Sequence, residues 1–126
     1  MLTLSLQYGD IGLFILRIAI AVIFLYHGIP KLRKFKEMAS AIGIPAAAVL
    51  LIGLLETLGS VGMILGIDMQ LSALVLAIIM LGAIWMKKMK WGVPFFAHDK
   101  TGWEFDFILL FATIAILLTG GGNIGL

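Results

Sequence analysis

Four stretches of the chain are almost purely apolar, and polar, glycine or proline residues bound each of them: Ile11–Ile29, Ala46–Ile67, Leu71–Met86 and Trp103–Thr119. About 20 such residues in a helix cross about 30 Å of hydrocarbon. The runs are continuous and lack the period-two alternation of barrel strands, so the pattern predicts helices. Of the 126 residues 62% are hydrophobic and only 13% charged, more apolar surface than a soluble domain of this size can bury. The expected fold is therefore all-α: an integral membrane four-helix bundle, with residues 1–126 forming one transmembrane domain whose solvent is the lipid bilayer. The first stretch has no basic residue before it and carries Asp10 at its entrance, which reads as a retained helix rather than a signal peptide.

Charge then orients the spans. Apart from Arg17, every Lys and Arg lies between the first two stretches (Lys31, Arg33, Lys34, Lys36) or between the last two (Lys87, Lys88, Lys90, Lys100). Basic residues in short loops stay cytoplasmic, so both termini are expected on the non-cytoplasmic side of a cell membrane. Tyr26, Trp85, Trp91 and Trp103 would form an aromatic belt at the inner interface. The pI of about 9.1 reports this topology and attraction to anionic lipid, not nucleic-acid binding.

Between the spans, Pro30 is expected to close the first helix, and Lys31–Ala41 reads as an interfacial amphipathic segment. Pro45 marks the start of the second long helix. A turn around Gly66–Gln70 makes the second and third spans antiparallel neighbours. The loop Lys87–Lys100 carries an aromatic cluster suited to a lid over the interface. The tail Gly120–Asn123 is expected to be a flexible stop.

Candidate chemistry sits in the few polar groups at membrane depth. An ionisable residue there costs roughly 2.5–3.5 kcal/mol on insertion scales, so it turns inward and finds a partner. Arg17 and Glu56 have opposite signs, and their estimated depths differ by about 6 Å, within reach of one arginine. The pair is either a structural staple between helices or a functional site in which Glu56 carries a proton or Arg17 holds a carbonyl or anionic head of a bound molecule. Gly53, Gly59, Ser60, Gly62 and Gly66 surround Glu56 at spacings that let helix backbones approach closely. A second constellation near the inner surface comprises His27, Lys31, Glu104 and Asp106. Glu104 also suits the first turn of a helix, and His27 is either a satisfied structural group or a proton relay.

The chain has no cysteine, which excludes thiolate, disulfide and cluster chemistry of its own. His27 and His98 lack metal-ligand spacing, so no metal site is expected. The methionines are scattered as apolar filling, and no phosphate loop, dinucleotide fingerprint or catalytic triad is present. After Ser72 the third span is almost wholly apolar, as a surface facing lipid or a partner would be.

The run Leu16-Arg17, then Phe24-Leu25-Tyr26-His27-Gly28-Ile29-Pro30-Lys31-Leu32, then Gly43-Ile44-Pro45 and Gly53-Leu54-Leu55-Glu56-Thr57-Leu58-Gly59 resembles the DoxX family of small four-helix membrane proteins. The likeness continues through Gly62, Gly66 and Trp103-Glu104. It implies a relation to the small membrane subunit of thiosulfate:quinone oxidoreductase and membership in membrane-associated redox or stress-response assemblies. Two departures stand out. Trp85 occupies a place where members often carry histidine, and Asn123-Ile124-Gly125-Leu126 stands where they often end Ser-Leu-Asp.

Three functions follow as expectations. The first is a membrane subunit of a redox system that offers a quinone-like lipid a slot lined by Arg17 and Glu56. In it His27 and Asp106 supply hydrogen bonds and a proton route, Lys31 and Glu104 stand at its mouth, and electrons come from a partner protein. The second is a non-catalytic anchor or assembly factor for a multi-subunit complex, in which the ion pair is only a staple. The third is a small proton-coupled transporter of an organic or sulfur anion, which in four spans would need a homo-oligomer.

Overall fold

The structure is a computed structural model that describes residues 8–126. Its helices are α1 (Gly9–Arg33), α2 (Phe35–Ile42), α3 (Ala46–Leu65), α4 (Met69–Trp85) and α5 (Trp103–Thr119), and α4 runs on as a π-helical turn over Met86–Lys90. No strand occurs among the described residues. Gly9–Arg33, Ala46–Leu65 and Met69–Lys90 are each long and apolar enough to cross a membrane. The 17 residues of α5 reach about 26 Å at helical rise.

Helix α1 runs through Pro30 and ends at Arg33, a turn beyond the expected stop. A proline in the last turn forfeits its own N–H bond but keeps helical φ, and here its carbonyl still accepts from Lys34 N at 2.8 Å. Asp10 in the first turn and Lys31 and Arg33 in the last complement the helix dipole. The amphipathic segment forms α2, which Gly43 closes in the left-handed conformation. Pro45 precedes α3 as expected, and Gly66, at φ 75°, ends it.

Helices α1 and α3 form the closest antiparallel pair, and two glycines set their register. A Cβ on Gly53 would lie 2.7 Å from Lys31 Cβ, and one on Gly28 would lie 2.8 Å from Thr57 Oγ1. Only backbone-thin residues allow that approach, which is the role expected for the small residues of α3. Helix α4 packs against both α3 and α5, whereas α1 and α5 touch sparingly. The core between them holds Ile20, Phe24, Met63, Leu76, Leu110 and Ile116, all buried. Outward lie Leu54, Leu58, Leu74, Ile78, Phe111 and Leu118, a broad apolar surface of the kind lipid covers.

The tail is folded, not a flexible stop. Gly120, Gly121 and Gly122 all take positive φ, and Leu126 N donates to Leu65 O at 2.8 Å. Asn123 donates to both carboxylate oxygens of Asp10, from its backbone N and its Nδ2, each at 3.2 Å. The tail thus straps the start of α1 to the end of α3. The end of the bundle opposite the strap carries the lysines and is called the basic end below.

Candidate functional site

Arg17 and Glu56 do not meet. The register that sets Gly28 against Gly53 and lets Arg17 reach Met63 puts Glu56 level with about Leu25, some eight residues or about 12 Å along the axis from Arg17. Counting depth from the ends of the apolar runs misplaced both residues, because glycine contacts and not span boundaries fix how the helices slide.

Arg17 is fully buried at the strapped end. Its Nε donates to Met63 O at 2.8 Å, and its Nη1 donates to Gly121 O at 3.3 Å and to Ile124 O. The guanidinium also lies 5.2 Å from the centroid of the Phe14 ring. Backbone carbonyls and an aromatic face therefore take the place of a carboxylate, and two of those carbonyls come from the strap. Nη2 is buried without a partner beside Gly66, where a Cβ would come within 2.9 Å of it.

The remaining ionisable groups gather at the basic end. Lys31 Nζ of α1 donates to Glu56 Oε1 of α3 at 2.7 Å, with the two side chains 16% and 2% exposed. Glu56 Oε2 is buried and accepts nothing. Ser60, one turn on, spends its hydroxyl on Glu56 O at 2.6 Å and leaves the carboxylate alone. Across the bundle Lys87 Nζ lies 2.7 Å from Asp106 Oδ2, an ion pair by distance without the alignment of a hydrogen bond. One pair joins α1 to α3 and the other joins α4 to α5.

His27 is exposed and not interior, with its ring tilted at 50° to Phe105 and 6.0 Å from it, where α1 meets α5. Lys31, Lys87 and Asp106 are the charges close enough to act on it. Glu104 makes no ion pair among the described residues, and its N–H donates to Phe95 O at 3.0 Å. The expected constellation is thus partly assembled: Lys31 joins Glu56, Asp106 joins a lysine assigned to the loop, and His27 stands between the two pairs. The aromatic loop folds onto the start of α5, with Phe95 edge-on to Trp103 at 4.5 Å. Lys88 Nζ lies over the Trp103 ring, 5.5 Å from its centroid.

Reading the sequence missed Lys87 and the strap carbonyls. Asp106, buried in the first turn of α5, called for a cation at the end of an antiparallel neighbour, and Lys87 lies in the π turn that extends α4. No local signal marks Gly121 O or Ile124 O as ligands of Arg17. Among the described residues no three metal-ligating side chains converge.

The family model described as DoxX matches residues 12–89, more than half of the chain. The chain belongs to the DoxX family. It is also 30% identical over 114 residues, covering 88% of this chain and 81% of the relative, to a Bacillus subtilis (strain 168) protein named "Putative oxidoreductase CatD". No solved structure matches it. This DoxX protein is a membrane protein. The stretch that defines the family runs from α1 to the π turn and so contains Arg17, His27, Lys31, Glu56 and Lys87, whereas Glu104, Asp106 and the strap lie beyond it.

Proposed function

We propose that this chain is a four-span membrane subunit of a redox system, one domain with both termini on the non-cytoplasmic side and the basic loops in the cytoplasm. It offers a quinone-like headgroup a polar site at the basic end. The observation that carries this reading is Glu56: a carboxylate buried at membrane depth, with one oxygen held by Lys31 and the other open. An acceptor in that state suits a hydroxyl donor, and the partly exposed Lys31 amine suits a carbonyl or phenolate oxygen. A bound quinone would supply two-electron, two-proton carrier chemistry. Glu56 would accept or return a proton at Oε2, Lys31 would stabilise the carboxylate that remains when the proton leaves, and His27 would pass the proton toward the Asp106–Lys87 pair. Glu104 stands at the mouth. Arg17 lies too far along the axis to share this site, so its role is to anchor the strap. The relative's name as an oxidoreductase accords with this reading, and electrons would come from a partner protein.

The test is quinone retention by the full chain purified in its own lipids. The wild type should retain a quinone that Glu56→Gln and Lys31→Gln lose while both variants keep their helical content. Retention by both folded variants would sink the proposal. A second reading, an anchor or assembly factor, draws on the way each ion pair closes on itself between neighbouring helices, as a staple does. In that case a partner protein rather than a small molecule would co-purify, held through the apolar face of α4 at Leu74, Ile78 and Leu81.

A further inference from the structure

We propose that the free side of α1 at the basic end binds an anionic phospholipid. Val22, Leu25, Tyr26, Ile29 and Pro30 line an open, wholly apolar trough of about 370 Å³ on the outside of the bundle. Pro30 helps make it: lacking an N–H, it leaves Tyr26 O without its helical donor, and its ring interrupts the ridge of side chains. Val22, Tyr26 and Ile29 follow one another along one stripe of the helix, and the next member of that stripe is Arg33.

Arg33 is exposed and makes no ion pair among the described residues: Lys31 holds Glu56, Lys87 holds Asp106, and the exposed Glu37, four residues on, does not pair with it. Lys34 and Lys36, also exposed, follow it. An acyl chain matches the trough, and a phosphate matches the guanidinium at its end, which can grip two oxygens at once. Tyr26, 79% exposed, stands about two turns deeper, where its ring lies alongside the upper part of an acyl chain. A second copy of the chain fits less well. Two-fold pairing on this face within one membrane would bring the Arg33 of one protomer level with that of its partner, and the like charges would repel. The trough alone would serve a neutral lipid equally, so Arg33 is the group that selects for charge.

Native mass spectrometry of the full chain in detergent, with phosphatidylglycerol and phosphatidylcholine of identical acyl chains in competition, tests this. The wild type should retain phosphatidylglycerol preferentially. Arg33→Gln should lower that preference about fivefold, the factor one basic side chain near an anionic surface contributes. Ile29→Trp, which fills the trough from a lipid-facing position and should leave the melting temperature unchanged, should lower retention of both lipids. Lys100→Gln, an exposed basic residue away from α1, should change neither. Equal retention of the two lipids by the wild type, or an unchanged preference in Arg33→Gln, overturns the proposal. So does a quinone or a second copy held in the trough in place of phospholipid.

Discussion

Replacing Lys31 by methionine removes a charge and keeps the apolar stem, and the structure gives the expected cost. Glu56 Oε1 loses its partner at 2.7 Å, Oε2 already lacks one, and the side chain is 2% exposed. Breaking a buried ion pair from one side costs about 3–5 kcal/mol, because a charge is left uncompensated in a poor solvent. Lys31 is 16% exposed, so some headgroup water reaches the site and the lower end, about 3 kcal/mol, applies. For a chain of this size that corresponds to a fall in melting temperature of about 9–15 °C. Glu56→Leu should cost less, about 1–2 kcal/mol, since the stranded lysine can extend toward the headgroups. The double variant Lys31→Met with Glu56→Leu removes both charges together and should recover most of the loss.

Thermal unfolding of the four proteins in one detergent measures the cycle. A drop under about 3 °C for Lys31→Met, or a double variant no more stable than that single one, would refute the claim that Glu56 depends on Lys31. The same four proteins separate the two functional readings. A stable double variant that has lost quinone retention makes the pair a site, and one that retains every function makes it a staple.

Arg17→Met should lower stability by about 2–3 kcal/mol, and so should deletion of residues 121–126. The combination should cost little more than either, because both act through the same carbonyl contacts; additive losses in the melting temperature would refute that coupling. Gly53→Ala should cost about 1–3 kcal/mol through its clash with Lys31 Cβ, while Gly82→Ala, whose Cβ would meet nothing within 4 Å, should be neutral in the same melts. Since the chain has no cysteine, single variants Ser40→Cys and Asn123→Cys make a clean topology test: an impermeant maleimide added to intact cells should label only Asn123→Cys, and the reverse would overturn the proposed orientation.

The apolar runs foretold the long helices, and Pro45 marked the start of α3, because those features depend on local composition and backbone chemistry. Gly53 and its neighbours likewise announced a close helix contact. What local pattern could not supply was register. Nothing near Arg17 says that it faces Met63, since that follows from Gly28 meeting Gly53 eleven residues further down α1. Once the register is known, the pairing with Glu56 dissolves and Lys31 takes its place. Lys87 was hidden for a related reason: a lysine near the end of a span looks like a topology signal until the buried Asp106 across from it demands a partner. The strap was illegible because three consecutive glycines resemble a flexible linker. Here their positive φ values let a tight reversal bring backbone carbonyls onto a buried guanidinium.

These polar groups divide the bundle into layers. At the strapped end a cation is compensated by carbonyl dipoles and an aromatic face, and at the basic end two lysines are matched by two carboxylates. Between them lie Ile20, Phe24, Leu76 and Leu110, packed and buried. Among the described residues the buried hydroxyls, Ser60 and Thr113, donate to carbonyls four residues back on their own helices. A transporter needs polar groups that connect the two ends, at least in turn. Here the strap closes over Arg17 at one end, and a buried apolar layer lies between it and the ion pairs of the other. An arrangement with both of its ion pairs at one end of the bundle suits chemistry performed on a lipid-soluble carrier that arrives sideways through the bilayer. That is why Glu56, with one carboxylate oxygen open, and not Arg17, held by the strap, is the residue on which the proposed function rests.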